Sequence, residues 1–124
     1  MSTIGDVMTI GIPVNDQDRA LDFYIERLGF EKRRDMPSPQ PGGRWIEVAP
    51  PGATVTIALV PASESTPAGV QTGIRLKAGD AADVHGALLA RGVEVGELLR
   101  WPGVPAMFVL HDQDGNRLQI VESG

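Results

Sequence analysis

Cysteine is missing from the chain, which rules out disulfides, thiolate metal sites and a cysteine nucleophile together. Long apolar runs are missing too, since nothing approaches the roughly 18 residues that a membrane-spanning helix takes. Met1 to Asp6 lacks a basic segment followed by an apolar stretch, so no signal peptide is expected. A cytoplasmic protein with no membrane partner is the expectation. Basic charge is in deficit: eleven Lys and Arg stand against sixteen Asp and Glu. The net charge of −5 mildly repels phosphate backbones, so nucleic acid is not an expected partner. Aromatic residues are scarce, at 5%, which makes the two tryptophans, Trp45 and Trp101, conspicuous.

What is present is a globular composition, 42% hydrophobic and 22% charged, with no low-complexity tract. A chain of 124 residues has the length of one domain, here expected over residues 1–124, and buries roughly two thirds of its unfolded surface.

From Val7 to Val14, Met8, Ile10, Ile12 and Val14 alternate with Thr9, Gly11 and Pro13, the period of a strand packed on one face. Asn15 and Asp16 supply N-cap oxygens, and Ala20, Leu21, Phe23, Tyr24 and Leu28 recur at helical spacing up to a stop at Gly29. Strands are expected at Phe30–Met36, Arg44–Ala49 and Thr54–Val60, separated by the Pro37–Gly43 loop and the Pro50-Pro51-Gly52 turn. After a polar connection the order begins again. Gln71–Ala78 alternates, Asp80 caps a helix carrying Ala81, Val84, Ala87, Leu88 and Arg91 on one stripe, and Gly92 stops it. Val93–Leu98, Ala106–His111 and Arg117–Glu122 complete three more strands, the last two joined through Asp112 to Asn116. The pattern β-α-β-β-β therefore occurs twice, over about residues 6–60 and 71–122, with a linker at 61–70. Each helix buries its stripe on one face of its strands and leaves the other face free.

Ile12-Pro13-Val14-Asn15-Asp16, Ala20-Leu21-Asp22-Phe23-Tyr24 and Leu28-Gly29-Phe30 resemble the first module of vicinal-oxygen-chelate proteins, the glyoxalase, bleomycin-resistance and extradiol dioxygenase superfamily. Ala90 to Val95 and Asp112 to Leu118 resemble the second module's helix end and closing Asp-Pro-Asp-Gly turn, with Gln113 where proline is usual. The resemblance implies an α+β fold of two βαβββ modules, a cup-shaped, half-barrel mixed sheet with helices outside, and cavities completed by a homodimer. It does not fix a reaction, because one fold hosts many chemistries.

Metal-dependent relatives place one His, Glu or Gln on each of four strands. Aligned on Val14 and Asp16, the first of these positions falls on Thr9; the others fall on Ala58, Gly73 and Gln119. A hydroxyl, a methyl group, a glycine beside Thr72 and one neutral amide do not make the donor set of a catalytic ion. No metal and no other cofactor is expected.

With Ile46 and Val48 turned to the helix, alternation sends Trp45 and Glu47 to the concave face with Thr9, Gly11, Thr56, Ala58, Gly73, Arg75 and Gln119. Trp101 is expected on a loop able to close over them, with Met107, Val109 and His111 lining another strand. Apolar walls with a few polar groups suit a small-molecule site, and indoles suit a flat ligand, although tryptophans equally fill cores and interfaces. Glu47 is the candidate general base, if burial raises its pKa, or an ion-pair partner for Arg75. His85 is read as a surface helix residue, and Phe23 and Tyr24 as core. The function expected is metal-independent sequestration of a hydrophobic or aromatic compound, such as an antibiotic, by a homodimer. The alternatives are a metal-free isomerase or lyase acting through Glu47, His111 or Gln119, and a metal-dependent glyoxalase or dioxygenase.

Overall fold

Two helices and nine strands are arranged as two compact units, residues 1–67 and 68–124, in a computed structural model that describes residues 3–38 and 43–123. In the first unit β1 (Thr9–Val14) leads to α1 (Gln17–Asp22), then β2 (Glu31–Pro37), β3 (Arg44–Ala49) and β4 (Thr56–Pro61). The sheet order is β1-β4-β3-β2; β1 runs parallel to β4 and the other pairs are antiparallel. Ile12, Val14, Ile46, Val48, Ile57 and Leu59 are buried on the helix side with Ala20 and Tyr24. Each large apolar side chain taken fully out of water there contributes about 1.5–3 kcal/mol.

Asp16 caps α1 by accepting a bond from Arg19 N at 3.1 Å. The helix then widens into a π-helical turn over Phe23–Arg27, where Leu28 N donates to Phe23 O five residues back. Gly29, at φ 77°, reverses the chain, and Phe30 N returns to Tyr24 O at 2.9 Å. Gln17 ties three elements together: its amide donates to Arg44 O at 2.6 Å and Leu59 O at 2.8 Å while its oxygen accepts from Arg44 N.

The alternation at Val7 and Met8 predicts strand, but β1 starts at Thr9 and these two residues are 63% and 79% exposed. Alternation alone does not make a strand, and the ladder with β4 runs from Thr9–Thr56 onward, with one further bond from Thr56 N to Met8 O. Thr54 and Val55 likewise lie ahead of β4.

The second unit contains β5 (Gln71–Ala78), α2 (Ala81–Ala90), β6 (Glu94–Val95), β7 (Leu99–Trp101), β8 (Val104–His111) and β9 (Arg117–Glu122). Its sheet runs β5-β9-β8-β6 with β7 also on β8, and β5 is parallel to β9 as β1 is to β4. Ile74, Leu88, Phe108, Leu110, Leu118 and Ile120 form the core on the helix side. Asp80 caps α2 through Asp83 N at 3.0 Å.

Two expectations change here. The single strand read over Val93–Leu98 is two short ones, because after Gly96 N bonds Val109 O at 2.7 Å the chain leaves the ladder and rejoins it at Leu99. The stripe of α2 is narrower than drawn. Ala81 and Leu88 are buried, Ala87 and Arg91 are exposed, and His85 is half-buried rather than a surface residue. Its ring stands edge-on to Phe108 at 4.9 Å and its Nε2 lies 2.9 Å from Gly96 O.

The turn after β8 is locked by a fully buried Asn116. Its Nδ2 donates to Asp112 Oδ2, and its Oδ1 accepts from the backbone N–H groups of Gly69 and Val70, fixing the entry to β5. Asn116→Ala deprives several groups of their partners at once. The expected cost is about 1–3 kcal/mol in urea or thermal unfolding; an unchanged melting temperature would contradict the lock.

Candidate functional site

The face of the first sheet that turns away from α1 carries Thr9 and Gly11 of β1, Thr56 and Ala58 of β4, and Trp45 and Glu47 of β3. Glu47 organises it. The indole N–H of Trp45 donates to Glu47 Oε2 at 2.6 Å, and the hydroxyl of Thr56 donates to Glu47 Oε1 at 2.8 Å. Arg34 Nε lies 4.0 Å from Oε2, and the hydroxyl of Thr9 donates to Thr56 O. Ala58 shares the face by register but is fully buried, so it offers a ligand no surface.

These contacts reverse one expectation. Burial does push the Glu47 carboxyl upward, but the Trp45 hydrogen bond, the largest influence, lowers it, with Thr56 and Arg34 acting in the same direction, so its pKa falls below 4.5. A carboxylate held ionised with both oxygens engaged is a poor general base, whereas it is a good clamp on the indole. Glu47 and Arg75 also find their partners separately, each within its own unit.

On the open face of the second sheet, Arg75 of β5, Gln119 of β9 and Val109 of β8 stand in one row. Arg75 Nε donates to Gln119 Oε1 at 3.0 Å, and Gln119 Nε2 points to Met107 Sδ at 3.4 Å. With Gln71 and Gly73 these residues line a recess of about 290 Å³. Between Gln71 and Arg75 the strand bulges, Gly73 adopts φ 74°, and the Thr72 hydroxyl bonds Arg117 O at 2.7 Å. His111 lies across from Glu94 on β6, its Nδ1 3.1 Å from a Glu94 oxygen in a contact too poorly aligned to be a hydrogen bond.

Trp101 is not on a loop. It ends β7, opposite Val104, in a hairpin turned by Pro102-Gly103, and it is 56% exposed. A core role for it is excluded by that exposure.

A family model described as the Glyoxalase/Bleomycin resistance protein/Dioxygenase superfamily matches residues 4–120. The chain belongs to this superfamily.

Solved structures agree in fold and length. A superfamily member from Sphaerobacter thermophilus superposes with a TM-score of 0.88 at 35% identity, over 98% of this chain and 100% of that one. TnmS3, an antibiotic binding protein from Streptomyces sp. CB03234, gives a TM-score of 0.87 at 32% identity over the whole of both chains. Among curated proteins, YetH of Bacillus subtilis is 36% identical over 58 residues, 47% of this chain; the match covers 48% of that protein, so the chain spans about half the length of this relative.

The superfamily's metal-dependent members need four donors, and the residues here do not fit that set. Thr9 offers only a neutral hydroxyl, Ala58 has no donor, and Gln119 Oε1 accepts from Arg75. At Gly73 the positive φ strains any L side chain, so the bulge itself disfavours a histidine there. Among the described residues no group of three or more His, Cys, Asp or Glu is placed to hold a metal.

Sequence reasoning missed Arg34 and the Gln17 tie. Arg34 sits on an edge strand with no alternation to sort it, and it reaches Glu47 only through the β2–β3 register.

The depressed Glu47 pKa makes a pH prediction. Its contribution to stability is fully present above the ordinary value of 4.5 and is lost as pH falls through the lowered folded-state value. Glu47→Gln is therefore expected to be less stable than wild type at pH 7, with the gap in melting temperature closing below pH 4.5. A gap that widens toward acid would show the carboxyl to be raised instead.

Proposed function

We propose that the protein is a cytoplasmic, single-domain homodimer that binds and sequesters a hydrophobic or aromatic small molecule, such as an antibiotic, without a metal or other cofactor. The observation that carries this reading is the Trp45–Glu47–Thr56 arrangement. A charge-assisted hydrogen bond at 2.6 Å fixes the indole of Trp45 on the open face of a sheet, which lowers the ordering cost of stacking a flat ligand against it. The full-length likeness to an antibiotic binding protein supports the same reading, as do the vacated metal positions. The isomerase or lyase alternative loses Glu47 as its base, because the hydrogen bonds that orient Trp45 also keep that carboxylate weakly basic.

Titration with a panel of aromatic antibiotics, followed by tryptophan fluorescence and calorimetry, tests the proposal. At least one compound should bind with unchanged affinity after EDTA treatment. Trp45→Ala should weaken that binding by about 1–3 kcal/mol in a folded protein. Trp101→Ala should shift stability by no more than about 0.5 kcal/mol, as befits an exposed position. No response across the panel, or binding that depends on added metal, would overturn the reading.

A further inference from the structure

The recess of the second unit has a cation in an otherwise acidic chain. Arg44 is spanned by Asp18 and Asp35, Arg33 by Glu31, and Arg34 faces Glu47. Arg75 differs from them: among the described residues no carboxylate lies within ion-pair distance of it, and its partner is the neutral oxygen of Gln119. That bond engages Nε and leaves the two terminal nitrogens of the guanidinium for another acceptor. Lys77, two residues along β5, and Arg117, two residues before Gln119 on β9, share the same open face, where the carboxylate of Glu94 stands against His111 rather than Arg75.

The row is built to hold Arg75 still. Gln119 presents its oxygen to Nε at 3.0 Å while its own NH₂ is occupied by Met107 Sδ at 3.4 Å, which fixes the amide's orientation. Gly73 removes any side chain from the β5 end of the recess, and Val109 supplies an apolar wall beside Gln119. A planar guanidinium with a free edge, next to an apolar wall in about 290 Å³, matches the geometry of a carboxylate or an ionised phenol or enol on a small aromatic body.

We infer, on the small-molecule reading above, that the recess of the second unit takes a small molecule carrying an anionic oxygen group bound by Arg75, with Gln119 as the residue that positions Arg75 for it. A cationic or wholly neutral ligand leaves this arginine unused. The class of ligand is thereby narrowed to aromatic acids and acidic phenols or enols.

Calorimetric titration with naphthalene-2-carboxylate and with its uncharged analogue, naphthalene-2-carboxamide, at low salt tests this. Wild type should bind the carboxylate about tenfold more tightly than the amide, with the preference shrinking as salt is raised. Arg75→Met should bring the carboxylate down to the amide's affinity and leave the melting temperature unchanged, since Arg75 is exposed. Gln119→Glu should also abolish the preference, by giving Arg75 an internal anion, without weakening the amide; a merely structural role for Gln119 would affect both probes alike. Equal affinity of wild type for the two probes, or a preference that survives Arg75→Met, would overturn the inference while leaving small-molecule binding intact. Failure of both probes to bind at millimolar concentration would also overturn the inference, whereas the small-molecule reading falls only with the antibiotic panel.

Discussion

Each sheet has a helix on one face only, and the open faces exist because of it. In both units a parallel pair, β1 with β4 and β5 with β9, places strands from the start and end of the unit side by side, and the intervening helix crosses the same side. Side chains of even register at β1, such as Ile12 and Val14, then meet Ile57 and Leu59 through no choice of their own, and the residues between them are turned the other way. Thr9, Trp45, Glu47, Arg75 and Gln119 belong to that second set. A slip of one residue along β5 would exchange its two sets and turn Arg75 toward the helix.

The two open faces hold their central charged groups differently. In the first, Glu47 is a fixed anion whose oxygens are consumed by an indole, a hydroxyl and a nearby guanidinium. The group that looks most like a catalyst in the sequence is the one whose surroundings suit catalysis least, because bonds that stabilise a carboxylate reduce its appetite for a proton. In the second, Arg75 is a fixed cation held by a neutral amide. The amide orients the guanidinium without neutralising it, and that distinction separates a binding group from a structural ion pair.

The backbone of β5 has its own irregularity beside the recess. Gly73 sits in a bulge at φ 74° with the Thr72 hydroxyl bonded across to Arg117 O of β9. Placing a histidine at that position therefore strains the strand as well as exchanging a side chain.

The sequence by itself determined the two β-α-β-β-β modules, their caps at Asp16 and Asp80, their stops at Gly29 and Gly92, and the sorting of Ile12, Val14, Ile46 and Val48 into the core. Those features are local or strictly periodic, and a period of two or 3.6 residues is written in the chain itself. The sequence also placed Trp45, Glu47, Arg75 and Gln119 on open faces, since alternation carries that information. Only the tertiary structure decided what those residues do to one another. The widening of α1 at Phe23, the break after Gly96, the exposure of Trp101 on a hairpin and the half-burial of His85 against Phe108 all depend on where a neighbouring element ends. The pairing of Arg34 with Glu47 depends on a register shift between Lys32 and Arg34 that no pattern in β2 announces. The sign of the Glu47 shift was out of reach for the same reason: burial and hydrogen bonding push a carboxyl in opposite directions, and which one wins is set by a 2.6 Å contact between side chains two residues apart on one strand.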